Sequence, residues 1–168
     1  MCVIIYKPAG AELPTKELLI KAHRRNPHGC GFCTPTQSYK GLSLRSFLSK
    51  IKTVDANEPL LIHFRFATHG SVKRSNCHPF HDTETNTFFM HNGILNVRSY
   101  NDMTDSECAF ESYLKPLLHH GIDSYQLEIA VHRIIDFSRF AFMQGSKVRL
   151  FGDYIYHEGC YYSNLRFL

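Results

Sequence analysis

The chain has 168 residues, 43% of them hydrophobic and 20% charged, which excludes a disordered chain and gives one domain enough length for a sizeable core. A net charge of +4, from 19 basic and 15 acidic residues, is too mild to indicate nucleic acid, and the densest basic group, Lys21, His23, Arg24 and Arg25, reads as a solvated helix face. No apolar run approaches the roughly 18 residues of a membrane span, and the opening Met-Cys-Val-Ile-Ile-Tyr-Lys-Pro is too short and lacks the basic flank of a signal peptide, so a cytosolic protein is expected.

The first predicted element is a strand over residues 2–6, apolar and β-branched. Leu13 to Arg25 has helical periodicity, with Thr15 placed to cap it. Pro27, Gly29, Gly31 and Pro35 punctuate residues 26–35 as a turn with a short strand. Leu44, Phe47, Leu48 and Ile51 are spaced for a second helix from Ser43 to Val54. Pro59 introduces a buried strand, Leu60 to Phe66. The polar stretch 67–86 reads as a long loop, followed by a short strand from Thr87 to Met90.

Thr104 and Glu107 form a capping box that opens a helix toward His119, ended by Gly121. Ser124 opens a further helix to about Phe137. Strands follow over 139–143, 147–151, 154–157 and 160–167, with turns at Gln144-Gly145, Gly152-Asp153 and Glu158-Gly159. The order strand, helices, strands, helices, strands is an α+β plan in a single domain over 1–168, without repeats or linkers.

Four short strings carry chemistry. With Met1 removed, Cys2 joins a thiol nucleophile to a free α-amine, whose ordinary pKa of about 7.7–8.0 leaves part of it neutral at physiological pH. Taken alone, Cys2 reads as a buried strand residue, because free cysteine is among the most buried types. Arg65 follows an apolar strand and precedes a glycine-containing turn, where a guanidinium can hold a carboxylate bidentately; alone it reads as a surface ion pair. Asn92-Gly93 is the strongest short hairpin signal, yet its side-chain amide and backbone N–H are also two oxyanion donors. Asp105 suits a helix N-terminus and equally a substrate ammonium. Together these supply a nucleophile, an oxyanion hole, an anion clamp and a cation clamp. An α-amino acid whose side chain ends in an amide meets all four, and glutamine is such a molecule.

These residues carry a family resemblance. Cys2, Arg65-Phe66-Ala67-Thr68-His69-Gly70, Asn76-Cys77-His78-Pro79, His91-Asn92-Gly93 and Asp105-Ser106-Glu107 resemble, in order and spacing over essentially the whole chain, the class II glutamine amidotransferase domain, an N-terminal-nucleophile hydrolase. Asn26-Pro27-His28-Gly29-Cys30-Gly31-Phe32 is similar to the Asn-Pro-Asp-Gly-Trp-Gly stretch of small stand-alone members, with His28 and Cys30 in place of Asp and Trp. The resemblance implies a four-layer αββα sandwich of two antiparallel sheets. It implies Cys2 as nucleophile, Asn92 and Gly93 as oxyanion hole, Arg65 and Asp105 as clamps on the α-carboxylate and α-amine, and Phe66, Thr68 and His69 around the pocket beside Arg65. It implies no cofactor and no metal. Larger members carry a synthase domain that uses the ammonia; 168 residues leave no room for one, so acceptor chemistry is expected either on a separate synthase subunit or not at all.

Two other readings compete. The same site could cleave another γ-glutamyl amide, or bind such a compound without turnover, although intact Cys2, Asn92 and Gly93 argue against a dead enzyme. Cys30-Gly31-Phe32-Cys33 could be a redox pair, or half of a zinc site completed by Cys77, His78 and His81. No second C-x-x-C follows, and without a secretion signal the six cysteines are expected as free thiols.

Overall fold

The computed structural model describes residues 2–68, 70–100 and 103–168. Two antiparallel sheets form its centre. The first has six strands in the order β3-β2-β4-β1-β10-β9, the second four in the order β5-β6-β7-β8. The strands are β1 (Val3–Lys7), β2 (Cys30–Cys33), β3 (Ser38–Gly41), β4 (Leu60–Phe64), β5 (Phe80–Asp82), β6 (Thr87–Asn92), β7 (Arg139–Gln144), β8 (Lys147–Phe151), β9 (Ile155–His157) and β10 (Cys160–Tyr162).

The layers follow from the period-2 alternation of side chains along a strand. Val3 and Ile5 of β1, with Leu60, Ile62 and Phe64 of β4, pack outward under helices α1 (Lys16–Arg25) and α2 (Leu44–Ile51). Their neighbours Ile4 and Leu61 point inward and meet Phe88 and Met90 of β6 and Ala141 and Met143 of β7. On the far side of the second sheet, Phe89, Phe140 and Phe142 pack against Phe110, Leu114, Leu127 and Val131. The result is the expected αββα sandwich, with one apolar layer between the sheets and one beneath each helical layer. Lys7 is wholly buried. Its ammonium donates to the carbonyls of Pro8 (2.8 Å), Ala11 (3.1 Å) and Ala56 (2.6 Å), which fixes the end of β1 remote from Cys2.

The helices open at the predicted caps Thr15 and Thr104 and at the predicted starts Ser43 and Ser124, and the hydroxyl of each accepts from the backbone N–H three residues on. The element from Thr104 is less regular than expected. It is α-helical as α3 (Asp105–Ala109), π-helical over Phe110–Leu114 and 3-10 over Lys115–His120. Pro116 gives the reason: without an N–H it cannot close the regular ladder, so the chain shifts register upstream and tightens downstream. The last helix, α4 (Tyr125–Ile134), stops short of Phe137 because Asp136 takes a positive φ of 44°.

Two strands lie where none was predicted. β3 returns alongside β2 through the turn after Cys33. β5 lies within the polar stretch 67–86 and pairs with β6, Phe80 opposite Phe89. The predicted strand over 160–167 ends at Tyr162. Gly31 governs the segment leading into β5: a Cβ there would collide with the His78 carbonyl oxygen and come within 2.7 Å of the Tyr39 oxygen. Only glycine lets the His78-Pro79 segment lie across β2.

Candidate active site

The register of the first sheet brings Cys2 to Arg65 and Phe66. Val3 pairs with Phe64 in the antiparallel β1–β4 ladder, so the residue before one strand faces those after the other. Cys2 Sγ accepts from the Phe66 N–H at 3.3 Å and lies 3.5 Å from the Phe66 carbonyl oxygen. The Cys2 carbonyl is held by Asn164 Nδ2 at 2.9 Å. Burial pushes the Cys2 thiol up, while the Phe66 N–H and the Arg65 guanidinium pull it down.

Arg65 is buried. Its backbone N–H donates to Gly29 O (2.8 Å), its carbonyl accepts from His28 N (2.9 Å), and its Nη1 donates to Ser71 O (3.2 Å). Asn76 Nδ2 donates to the same Ser71 carbonyl at 2.9 Å. His28 braces the segment after Arg65. Its Nδ1 accepts from the Ala67 N–H at 2.9 Å and its ring lies 5.1 Å from that of Phe66. An imidazole nitrogen thus takes the acceptor position available to a carboxylate. Thr68 is exposed at the rim. Met1 and His69 lie outside the described residues.

Asn92 and Gly93 end β6, but they do not close a hairpin. Asn92 pairs with Arg139 of β7, and that strand arrives only after two helical elements. Gly93 instead turns the chain out of the sheet with φ of 147°. The Asn92 side chain points between the sheets, where its Nδ2 lies 2.8 Å from Ser163 Oγ. Asp105, the first residue of α3, accepts from Leu95 N at 2.9 Å through Oδ2 and from its neighbour Ser106 N at 2.8 Å through Oδ1. It thereby ties the segment after Gly93 to the helix start, and lone pairs remain on both oxygens.

Cys2, Arg65, Phe66, Thr68, Gly93 and Asp105 line one cleft of about 30 Å³, room for about one water. Asn92 borders instead an open groove of about 610 Å³ on the other side of Gly93, with Ile94, Phe137 and Arg166 on its walls. Gly93 belongs to both.

His78 and His91 complete the cleft wall, although neither was predicted to line it. Together with His63 they are buried. His63 Nε2 lies 3.0 Å from the His91 carbonyl, which makes Nε2 the protonated nitrogen, and the His63 and His78 rings are 4.2 Å apart. His91 Nδ1 lies 2.7 Å from Ser106 Oγ. Burial pushes all three downward, His63 to about 3, His91 to about 4 and His78 well below its ordinary value. They are therefore neutral at physiological pH. Motif order alone pointed to His78 and His91; their burial could not be read from it.

The alternative built on Cys30 and Cys33 fails on geometry. Three residues apart on a strand, they face opposite layers: Cys30 lies beneath the helices and Cys33 between the sheets. His81 is exposed, stacked on Phe88 and bonded to Asn86. All six cysteines are free thiols, and burial pushes Cys30 up to about 12, far from a reactive thiolate. No helix among the described residues is long and apolar enough to cross a membrane.

The fold, two antiparallel sheets between helical layers, is shared with solved amidotransferase structures. No protein-family model matches the sequence. The chain is 29% identical over 136 residues to the probable glutamine amidotransferase DUG3 of Saccharomyces cerevisiae, a match covering 66% of this chain and 36% of that protein. Among solved structures it superposes on the glutamine phosphoribosylpyrophosphate amidotransferase of B. subtilis, complexed with ADP and GMP, with a TM-score of 0.63 and 17% identity, over 96% of this chain and 41% of the other. A second, the allosteric regulatory enzyme of purine biosynthesis, gives 0.61 and 14% over the same shares. The chain thus spans about two-fifths or less of the length of each protein it resembles.

Proposed function

We propose that this protein hydrolyses the side-chain amide of glutamine through a Cys2 thioester, acting in the cytosol and passing ammonia to an acceptor on a separate subunit. The observation that carries this reading is the convergence of Cys2, Arg65, Gly93 and Asp105 on one cleft. In the processed chain the Cys2 α-amine takes the thiol proton. The thiolate attacks the amide carbon, and the oxyanion is met by the Gly93 N–H and the Asn92 amide. The amine returns the proton to the nitrogen, the C–N bond breaks and ammonia leaves. Water then cleaves the thioester to glutamate and regenerates the thiol. Glutamine is several times larger than the free volume of the cleft, so the segments carrying Thr68 and Gly93 part on binding.

Arg65 takes the α-carboxylate and Asp105 the α-ammonium. Arg65→Ala should raise KM for glutamine about tenfold or more, with a smaller effect on kcat, because the lost contact is present in ground and transition states alike. A variant with wild-type KM contradicts that role.

The test of the function is ammonia release from glutamine by protein whose N-terminal residue is shown by intact mass to be Cys2, beside Cys2→Ala. Turnover by the first and none by the second is expected. A diazo or epoxide glutamine analogue should label Cys2. No turnover from fully processed protein, or labelling confined to Cys30 or Cys33, overturns the reading.

A further inference from the structure

Ser163 and Asn164 follow the last strand, β10. No sequence motif marked them, yet each holds one part of the cleft's machinery. Asn164 Nδ2 donates to the carbonyl of Cys2. Ser163 is buried and ties the two sheets together. Its backbone N–H donates to Ile4 O at 2.9 Å, and its Oγ accepts from the Ile4 N–H at 2.8 Å and lies 2.8 Å from Asn92 Nδ2. One hydroxyl thus joins the strand that follows the nucleophile to the side chain at the end of β6.

The donors and acceptors around this hydroxyl are informative. With Nδ2 toward Ser163, the serine oxygen receives two N–H groups and its own proton has no acceptor. Asn92 Oδ1 is then buried with no partner, an arrangement that costs about 1–3 kcal/mol for an unmet buried acceptor. The two ends of an amide have the same shape and are assigned from their partners. Turned over, the amide accepts the Ser163 O–H through Oδ1. The serine oxygen keeps the Ile4 N–H and its own proton gains an acceptor, while the NH2 takes the buried position that has no protein partner and is left free to donate to an oxyanion.

We propose that Ser163 is a positioning residue for the amide hydrolysis: its hydroxyl, oriented by the Ile4 N–H, donates to Asn92 Oδ1 and holds the Asn92 NH2 available as an oxyanion donor. This rests on the glutaminase reading for its kinetic consequence but not for its hydrogen bond. The serine acts through Asn92 and touches no substrate.

The experiment compares wild type, Ser163→Ala and Ser163→Thr. Ser163→Ala should lower kcat for glutamine at least about tenfold, part of the loss that removing one oxyanion donor brings, with KM within about twofold. The rate of Cys2 alkylation by iodoacetamide, a displacement that generates no oxyanion, should stay within about twofold. Ser163→Thr, which keeps the hydroxyl, should recover most of kcat. The Asn92 side-chain amide signals in a ¹⁵N–¹H spectrum, assigned with Asn92→Asp, should move in Ser163→Ala and stay near wild type in Ser163→Thr. Unchanged kcat in Ser163→Ala, an equal fall in alkylation rate, or unmoved Asn92 signals would overturn the proposal. An inactive wild type defeats the glutaminase reading, and the Asn92 signals still decide the hydrogen bond. If Ser163→Ala does not fold, Ser163→Thr decides: wild-type kcat and Asn92 signals support the proposal, and loss of either in a folded protein overturns it.

Discussion

Gly93→Ala should reduce glutamine hydrolysis by about two to three orders of magnitude, the cost of losing one oxyanion donor. The backbone at Gly93 has φ of 147°, a conformation that glycine adopts far more readily than any residue with a Cβ. An added Cβ would collide with Ser138 Oγ and lie 2.7 Å from Ser138 Cβ and 2.9 Å from its Cα. The last of these is backbone and cannot rotate away. Ser138 is itself buried and donates to the Ile94 carbonyl at 3.2 Å, so it braces the same turn from the other side. Alanine must therefore swing the peptide preceding Gly93, and with it the N–H proposed to meet the oxyanion. The loss should fall on kcat, since the Arg65 and Asp105 contacts do not depend on that peptide's exact angle. Steady-state ammonia release together with thermal unfolding checks this. A folded Gly93→Ala protein with kcat within about threefold of wild type would remove Gly93 N–H from the mechanism.

What the sequence disclosed was chemistry carried by short strings and elements carried by periodicity. The apolar runs of β1, β4 and β7, the capping residues Thr15 and Thr104, the helix starts at Ser43 and Ser124, and the α+β order were all legible because each depends on neighbours along the chain. β3 and β5 were not. Ser38–Gly41 and Phe80–Asp82 are short and largely polar, and their strand character comes from the ladders of β2 and β6 rather than from their own composition. Asn92-Gly93 shows the opposite error: a strong local hairpin signal served as an exit from the sheet, because no strand follows to complete a hairpin. The supporting residues were hidden for the same reason. His28 reaches Ala67, and Ser163 and Asn164 reach Asn92, Ile4 and Cys2 across the whole chain. Such contacts have no local signature.

Acidification from pH 7.5 to pH 5.0 should remove a large part of the protein's stability. His63, His78 and His91 are buried, and burial holds each below the ordinary histidine value of 6.5. Besides burial, His63, His91, Lys40 and Arg65 all lower His78; Asp105 acts on His91 in the other direction without overcoming burial. The sign follows from which state binds protons. Below pH 6.5 the unfolded chain takes up protons on these rings, whereas in the folded chain His63 does so only near pH 3 and His91 only near pH 4, and His78 is held well below its ordinary value. Stability is therefore complete above about pH 6.5 and is lost as the pH falls toward the folded values. His63 and His91 each contribute about 2 kcal/mol of that loss by pH 5.0, on the order of 4 kcal/mol together, and His78 acts in the same direction. Domains of this kind have only about 5–15 kcal/mol in total. Urea midpoints at pH 7.5 and 5.0 measure the effect directly, and equal midpoints would contradict the burial of these rings as neutral groups. Because the Cys2 α-amine must be neutral to take the thiol proton, hydrolysis should already decline as the pH falls below about 7.7–8.0, and loss of the fold around His78 and His91, which line the same cleft as Cys2, should add to that decline below about pH 6.5.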